Sequence, residues 1–300
     1  MGTLYVVATP IGNLSDMSPR AIRTLREVAL IAAEDTRRSR RLLSHFGIDT
    51  PLISYHEHNA RERRERLLSA LDEGDIALIT DAGTPAISDP GADVVAAALA
   101  GGHRVSPIPG PSALAAAVSA SGLIDGPFLT LGFLPRESGE RQRAIGRGAA
   151  SGYPLVLFES AQRLARTLSE LASAMGDRRA VVLRELTKLH EEVRSGALSE
   201  LKTWAEHAKV KGEVVLVIAD APEHHASASE AESVVRALRR SGLNPSQAAR
   251  EAAAMTGLPR SELYAIAQRV GARGSAGLEG ELALPDEDAL QEPFRDEEGP

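Results

Sequence analysis

Short apolar runs rich in β-branched residues alternate along the chain with longer segments that carry apolar residues at helical spacing. Thr3-Leu-Tyr-Val-Val-Ala8 is the first run, and others follow at 28–33, 75–80 and 104–108. Runs of this length and composition predict buried strands. Helical patterns lie between them, at about 18–27, 37–46, 60–73 and 91–101. Asp89 before Pro90 offers a cap and a first-turn proline for the last of these. Strand–helix alternation of this kind predicts an α/β fold whose mostly parallel sheet is covered on both faces. Such sheets bind ligands in the loops after the carboxyl ends of their strands.

A second block of runs, at 127–133, 154–158, 180–184, 191–196 and 213–219, is interleaved with helical patterns near 140–149, 162–175 and 198–206. Two α/β domains are therefore expected, over 1–124 and 125–220. Residues 220–229 read as a linker that holds His224 and His225, both expected to be solvated. Three short helices are expected over 230–270, starting near Glu230, Pro245 and Pro259, with Gly242 and Gly257 as stops. From 271 to 300 Gly, Glu, Asp and Pro dominate, the composition of an acidic disordered tail.

Charge changes the picture only when it is resolved along the chain. The net charge of −7 on 300 residues argues at first against a nucleic-acid partner. Residues 271–300 carry nine acidic and two basic side chains, however, so the whole excess sits in the tail and the body is neutral. Such a tail would compete with weak RNA contacts as an internal polyanion. Thirty of the 34 basic residues are Arg, the side chain that grips phosphate in bidentate fashion. Cysteine is absent, which excludes disulfides, thiolate metal sites and a cysteine nucleophile and fits a reducing cytoplasm. No basic leader or long apolar run suggests secretion or a membrane span, so a cytoplasmic protein is expected.

Three Pro/Gly-rich loops follow three strands of the first block: Thr9-Pro-Ile-Gly-Asn-Leu14, Asp81-Ala-Gly-Thr-Pro-Ala-Ile-Ser-Asp-Pro-Gly91 and Pro109-Gly-Pro-Ser-Ala113. Together they predict a small-molecule pocket on one sheet edge. Asp81 and Asp89 are placed to accept hydrogen bonds from ribose hydroxyls or an amine. Neither a dinucleotide-type G-x-G-x-x-G after the first strand nor a phosphate-loop G-x-x-x-x-G-K-[ST] is present, so the ligand is expected to lack a pyrophosphate.

From 36 to 66 there are eight Arg against four acids, a local excess that suits a phosphate backbone if the helices present it, and that otherwise makes solvated helix faces. His56 and His58 alternate and should point to opposite sides of an extended segment. With no Cys and no H-E-x-x-H, a metal site is not expected. In Arg184-Glu-Leu-Thr-Lys188, strand alternation would put Glu185 and Thr187 on one side and Arg184, Leu186 and Lys188 on the other. These residues make either a Glu/Lys pair that activates a hydroxyl or a surface ion-pair strand. In Phe158-Glu-Ser-Ala-Gln-Arg163, Ser160 reads as a helix cap, with Glu159 and Arg163 as candidate site residues.

Taken in order, these motifs resemble one family. They are joined by Glu34-Asp-Thr-Arg37, Gly132-Phe-Leu-Pro135 and Gly212-Glu213. The chain is similar, from about residue 3 to 219, to the small-subunit ribosomal RNA methyltransferase I family within the tetrapyrrole methylase-like superfamily. The resemblance implies two α/β domains, the second with a mixed sheet, plus a small C-terminal helical domain. It implies S-adenosylmethionine in the cleft, a homodimer, and methylation of the ribose 2′-oxygen of a decoding-centre cytidine in 16S rRNA, as free rRNA or in the 30S subunit. Carried over by position, the cofactor would meet Pro10, Gly12, Asp81, Gly83, Ile87, Ser88, Ser112 and Ala113, with Leu134 and Leu186 closing the site. Glu185 or His56 would take the hydroxyl proton, Lys188 would stabilise the oxyanion, and Arg37, Arg38, Arg41, Asn59 and Arg163 would contact RNA. One departure stands out: Ala161-Gln162 replaces the Pro-His usual in the family, so no imidazole is available there. The rival readings are a corrin, tetrapyrrole or diphthine methyltransferase, or a non-catalytic ribosome-assembly factor whose 230–270 helices form a helix-turn-helix-like module.

Overall fold

The computed structural model describes residues 1–56, 58–208, 210–220 and 227–275. His224, His225 and the acidic tail from 276 onward lie outside the described residues. The chain divides into two compact units, Met1–Ala221 and Pro222–Pro300.

The first unit holds two five-stranded sheets. Strands β1 (Thr3–Val7), β2 (Leu30–Ala33), β3 (Leu52–Ser54), β4 (Ile76–Ile79) and β5 (Arg104–Ile108) form an all-parallel sheet in the order β3-β2-β4-β1-β5. Helices α1 (Pro19–Glu27), α2 (Thr36–His45), α3 (Ala60–Glu73) and α4 (Ala92–Ala100) connect them. Successive strand residues feed opposite faces. Ile31, Ala33, Ala77 and Ile79 pack with Leu25 of α1 and Leu43 of α2. Ala32, Ile76 and Leu78 pack with Leu67 and Leu71 of α3 and Val94 and Ala98 of α4. Burial on both faces is why these strands read as unbroken apolar runs. Each fully buried Leu or Ile contributes roughly 1.5–3 kcal/mol. Helix α1 starts where the Ser18 side chain accepts from the Ala21 amide and Pro19 occupies the first turn, a cap of about 1 kcal/mol.

Helix α5 (Ala113–Ser121) was not signalled by periodicity, because its sequence is nearly all alanine, serine and leucine. Its Ala117 packs on Val156, Val181, Leu183, Val215 and Val217 and so joins the first sheet's last loop to the face of the second. The second sheet contains β6 (Leu129–Phe133), β7 (Leu155–Ser160), β8 (Arg179–Arg184), β9 (Glu192–Ala197) and β10 (Glu213–Ile218) in the order β6-β7-β10-β8-β9. Only β6 and β7 run parallel; the other neighbours are antiparallel, so the sheet is mixed. Helices α6 (Ser138–Ala150), α7 (Leu164–Met175) and α8 (Leu198–His207) complete it.

Four local expectations are corrected. Asp89 does not cap α4: Gly91 is the N-cap, without a side-chain bond, and Asp89 turns into the site described below. Ser160 belongs to β7 rather than to a helix start, and α7 begins after Arg163. Strand alternation stops at Arg184, because Glu185 (φ 51°) and Thr187 (φ 68°) are left-handed and turn the chain. His56 and His58 are not on opposite sides of an extended segment. A turn closed by the Asn59 amide on the His56 carbonyl brings their rings to 6.0 Å, edge to face.

In the second unit α9 (Ala228–Arg240), α10 (Pro245–Thr256) and α11 (Arg260–Ser275) pack around Ala231, Val235, Ala248, Ala252, Leu263 and Ala267. Ser227 with Glu230, and Asn244 with Gln247, form reciprocal capping boxes. Gly257 (φ 69°) ends α10 in the left-handed conformation.

Candidate active site

The three glycine-rich loops are tied to one another. Thr9 and Gly83 exchange backbone hydrogen bonds of 2.9 and 3.0 Å, and the Thr84 hydroxyl donates to the Pro111 carbonyl at 3.1 Å. Between them and the second sheet lies a cavity of about 420 Å³. That volume lies within the range of small-molecule sites, about 300–1,000 Å³. Among the described residues, the four non-glycine residues with left-handed backbone are Ala86, Ser88, Glu185 and Thr187. All four stand in two loops that border this cavity. Left-handed conformation costs such residues roughly 1–2 kcal/mol, and for β-branched Thr187 it is a true outlier. Strain concentrated this way marks a site whose geometry the surrounding packing enforces.

Of the residues expected to meet a cofactor, Asp81, Gly83, Ile87, Ser88, Ser112, Ala113 and Leu186 line the cavity. Pro10 and Gly12 line an adjoining depression that shares Arg38 and Asp81 with it. Leu134 lines neither; it is buried, and its carbonyl accepts from Arg163 at 2.9 Å. The runs at 127–133 and 213–219 mark Phe133, Val214 and Val215 as strand residues but not as part of a site, and Leu114 carries no signal; all four supply apolar wall from the second sheet and from α5. Only the folded arrangement brings them to the loops.

One wall is acidic. Asp89, Glu34 and Asp81 all line the cavity. Burial, reinforced by the charges of Glu34 and Asp81, pushes the Asp89 carboxyl up to about 6. Burial also raises Glu34, against the hydrogen bond it accepts from the Asp81 amide. Asp81 itself accepts from the Asp35 amide and from Arg38 Nη1, both at 3.1 Å. This wall suits a ligand carrying positive charge.

The second-sheet side carries the Glu/Lys pair. Lys188 Nζ donates to Glu185 Oε1 at 2.9 Å and to Glu213 Oε2 at 3.0 Å, and the Glu213 amide donates to Glu185 Oε1 at 3.0 Å. Glu185 and Lys188 thus face each other instead of alternating. The Lys188 ammonium and the Glu213 amide hold the Glu185 carboxyl below the usual carboxylate range. Burial alone would lower Lys188, but its bonds to Glu185 and Glu213 prevail and raise it. Neither side chain lines the cavity directly; their neighbours Leu186, Gly212 and Glu213 do. The cluster stands at its edge.

The remaining candidates fall elsewhere. His56 is not among the cavity's lining residues, and its Nε2 lies 3.2 Å from the Asn59 side-chain Nδ2. Asn59 locks that turn, accepting from the His56 amide at 2.9 Å. Arg38 and Arg41 line the depression beside the first loop, and Arg37 is an exposed neighbour on α2. Arg163 spends its guanidinium on the Leu134 and Pro135 carbonyls and on Glu159 at 3.3 Å. Among the described residues no cluster of His, Asp or Glu could hold a metal ion, and no helix is long and apolar enough to cross a membrane.

Residues 3–202 match the family described as Tetrapyrrole (Corrin/Porphyrin) Methylases, and residues 225–269 match the RsmI C-terminal HTH domain. A "Ribosomal RNA small subunit methyltransferase I" of Synechocystis is 47% identical over 279 residues, covering 91% of this chain and all of that protein. One from Xylella fastidiosa is 46% identical over 267 residues, covering 88% of this chain and 98% of that protein. Among solved structures, a diphthine synthase superposes with a TM-score of 0.58 at 17% identity, over 73% of this chain and 90% of its own. The methyltransferase CobJ gives 0.56 at 17%, over 76% and 98%. The structural likenesses show the fold, and the matches in sequence carry the assignment further: the chain belongs to the ribosomal RNA small subunit methyltransferase I family of the tetrapyrrole methylases.

Proposed function

We propose that the protein is an S-adenosylmethionine-dependent methyltransferase acting on the ribose 2′-oxygen of a decoding-centre cytidine in small-subunit rRNA. The observation that carries this reading is the cavity: an acidic wall faces apolar residues on one side of a Lys/Glu cluster. The residues present fit the cofactor. Asp89, Glu34 and Asp81 match its cationic groups, while Ile87, Leu114, Phe133 and Leu186 offer apolar surface to the adenosine. Ser112 and Ala113, at the start of α5, offer backbone amides to its carboxylate. When bound, the cofactor supplies a methyl group already activated by the sulfonium.

The remaining task is to hold and activate a weak nucleophile. A ribose hydroxyl is barely ionised at neutral pH, so alignment and charge stabilisation must lower the barrier. Lys188, kept protonated by Glu185 and Glu213, stabilises the developing oxyanion. Glu185 orients Lys188 and is the proton acceptor nearest to it. Its depressed pKa makes it a weak base, so most of the effect falls to positioning and to Lys188. The turn at His56 acts on the placement of α3 instead of on the proton. The acting form is a homodimer, which light scattering checks directly, and it works in the cytoplasm.

The test is methylation of small-subunit rRNA, free or within 30S subunits, followed by mass spectrometry of its nucleosides. A single new 2′-O-methylcytidine is expected. Modification of a base, or transfer only to a corrin or diphthamide-type substrate, would overturn the reading.

A further inference from the structure

Beside the main cavity lies a second one, of about 510 Å³, which no cofactor role explains. The two share Phe133, Glu159 and Ser160 as a common wall. Arg136, Arg141, Arg163 and Arg166 line the second cavity together with Gln162. Glu159 and Glu170 are the carboxylates paired with these arginines, so two positive charges are in excess. Arg136 is exposed and has no partner among the described residues.

Arg141 is the decisive group. Its side chain is 2% exposed, and it comes from α6 to bind Glu170, Glu159 and Thr167 through Nε and Nη2. Its Nη1 is buried and has no hydrogen-bond partner. Leaving a buried, charged guanidinium nitrogen without a partner is unfavourable. Such a cost is tolerated where a ligand oxygen meets the group, and here the residue that bears it lines an Arg-rich cavity.

We propose that this second cavity seats a phosphodiester of the RNA strand next to the target ribose, held by Arg141 and Arg136 with Arg166 at its rim. The inference rests on the RNA substrate proposed above and deepens it. A planar guanidinium pair is matched to phosphate oxygens, and the shared wall at Glu159 and Ser160 sets the phosphate beside the methyl-transfer cavity. Arg163 acts from behind: by holding the Leu134 and Pro135 carbonyls it fixes the loop that carries Arg136. Gln162 offers an uncharged amide to the same cavity.

Arg136→Ala, at an exposed position, tests this without touching the buried network, while Arg166→Ala and the double variant also remove one of the two arginines that pair Glu170. A single-stranded oligoribonucleotide is titrated into each at several salt concentrations, and S-adenosylmethionine is titrated separately. Each substitution should weaken RNA binding several-fold, and the double variant by about tenfold or more. The log–log salt slope should fall by about 0.7 for a lost single-strand phosphate contact. Cofactor affinity should stay at the wild-type value, and the loss in methylation should appear in KM for RNA before kcat. Wild-type RNA affinity and slope in the double variant would overturn the phosphate seat while leaving methyl transfer to rRNA intact. A wild-type protein that binds no RNA yet methylates a small macrocycle would overturn the seat and the proposed function together.

Discussion

Lys188 lies directly over Gly12. A β-carbon on Gly12 would overlap Lys188 Cγ and come to 3.0 Å from Lys188 Cε and Thr187 Oγ1. The first glycine-rich loop therefore touches the Lys/Glu cluster of the second sheet, and only a residue without a side chain permits it. Gly12→Ala should displace Lys188 and reduce kcat for methyl transfer by about tenfold or more, since each 1.4 kcal/mol lost from the transition state is a factor of ten. Thermal stability should change little. An unchanged kcat would show that Lys188 finds its place without this contact.

Removing the ammonium and removing its anchor should have different effects. Lys188→Met deletes the positive charge proposed to face the oxyanion, an interaction of the class worth about 2.7–4 kcal/mol, or 10²–10³ in kcat. Glu185→Gln keeps the shape and should cost less, because Glu213 still accepts from Lys188. The lowered Glu185 pKa also has a stability consequence. Its contribution is complete at neutral pH and is lost as pH falls through the depressed value. Single-turnover rates and acid titrations of both variants test this; equal rate losses would contradict the division of roles.

Asp89 behaves in the opposite sense. Its carboxyl, pushed up to about 6 by burial and by Glu34 and Asp81, binds its proton more tightly in the folded protein than a free aspartate does. Stability from this group is present below the unfolded value and is lost as pH rises through about 6. Asp89→Asn should therefore raise the Tm at pH 7 to 8, with a gain on the order of 1 kcal/mol, and weaken cofactor binding. In the wild type, cofactor affinity should fall as pH drops below about 6. A lower Tm for the variant at pH 8 would refute the electrostatic account.

Glu159 is the buried carboxylate of the wall between the two cavities, 2% exposed and shared by Arg141, Arg163 and Thr167. Glu159→Ala leaves Arg141 with Glu170 as its one carboxylate partner and should destabilise by roughly 3–5 kcal/mol in urea unfolding. Glu159→Gln keeps a Thr167 acceptor and should cost less. Full stability of the alanine variant would mean that Glu170 alone suffices to pair Arg141.

Much of this protein is written in local pattern. Strands such as Ile76–Ile79 are short apolar runs because they are buried on both faces, and helices such as Pro19–Glu27 declare themselves through a serine cap and a first-turn proline. Loops rich in Pro and Gly at strand ends point to a pocket, and the family resemblance adds Asp81, Gly83, Ile87, Ser88, Ser112 and Ala113, all of which line the cavity. Helix α5 escaped because a run of alanines has no period. Strand alternation separated Glu185 from Lys188 because it cannot foresee left-handed backbone at Glu185 and Thr187. The acidic wall of Glu34, Asp81 and Asp89 draws on two loops, and the Arg141 network on three elements. Pattern along a chain reports periods of two and about three and a half residues. Contacts between residues far apart in sequence, and the desolvation that shifts Asp89, exist only once packing has excluded water.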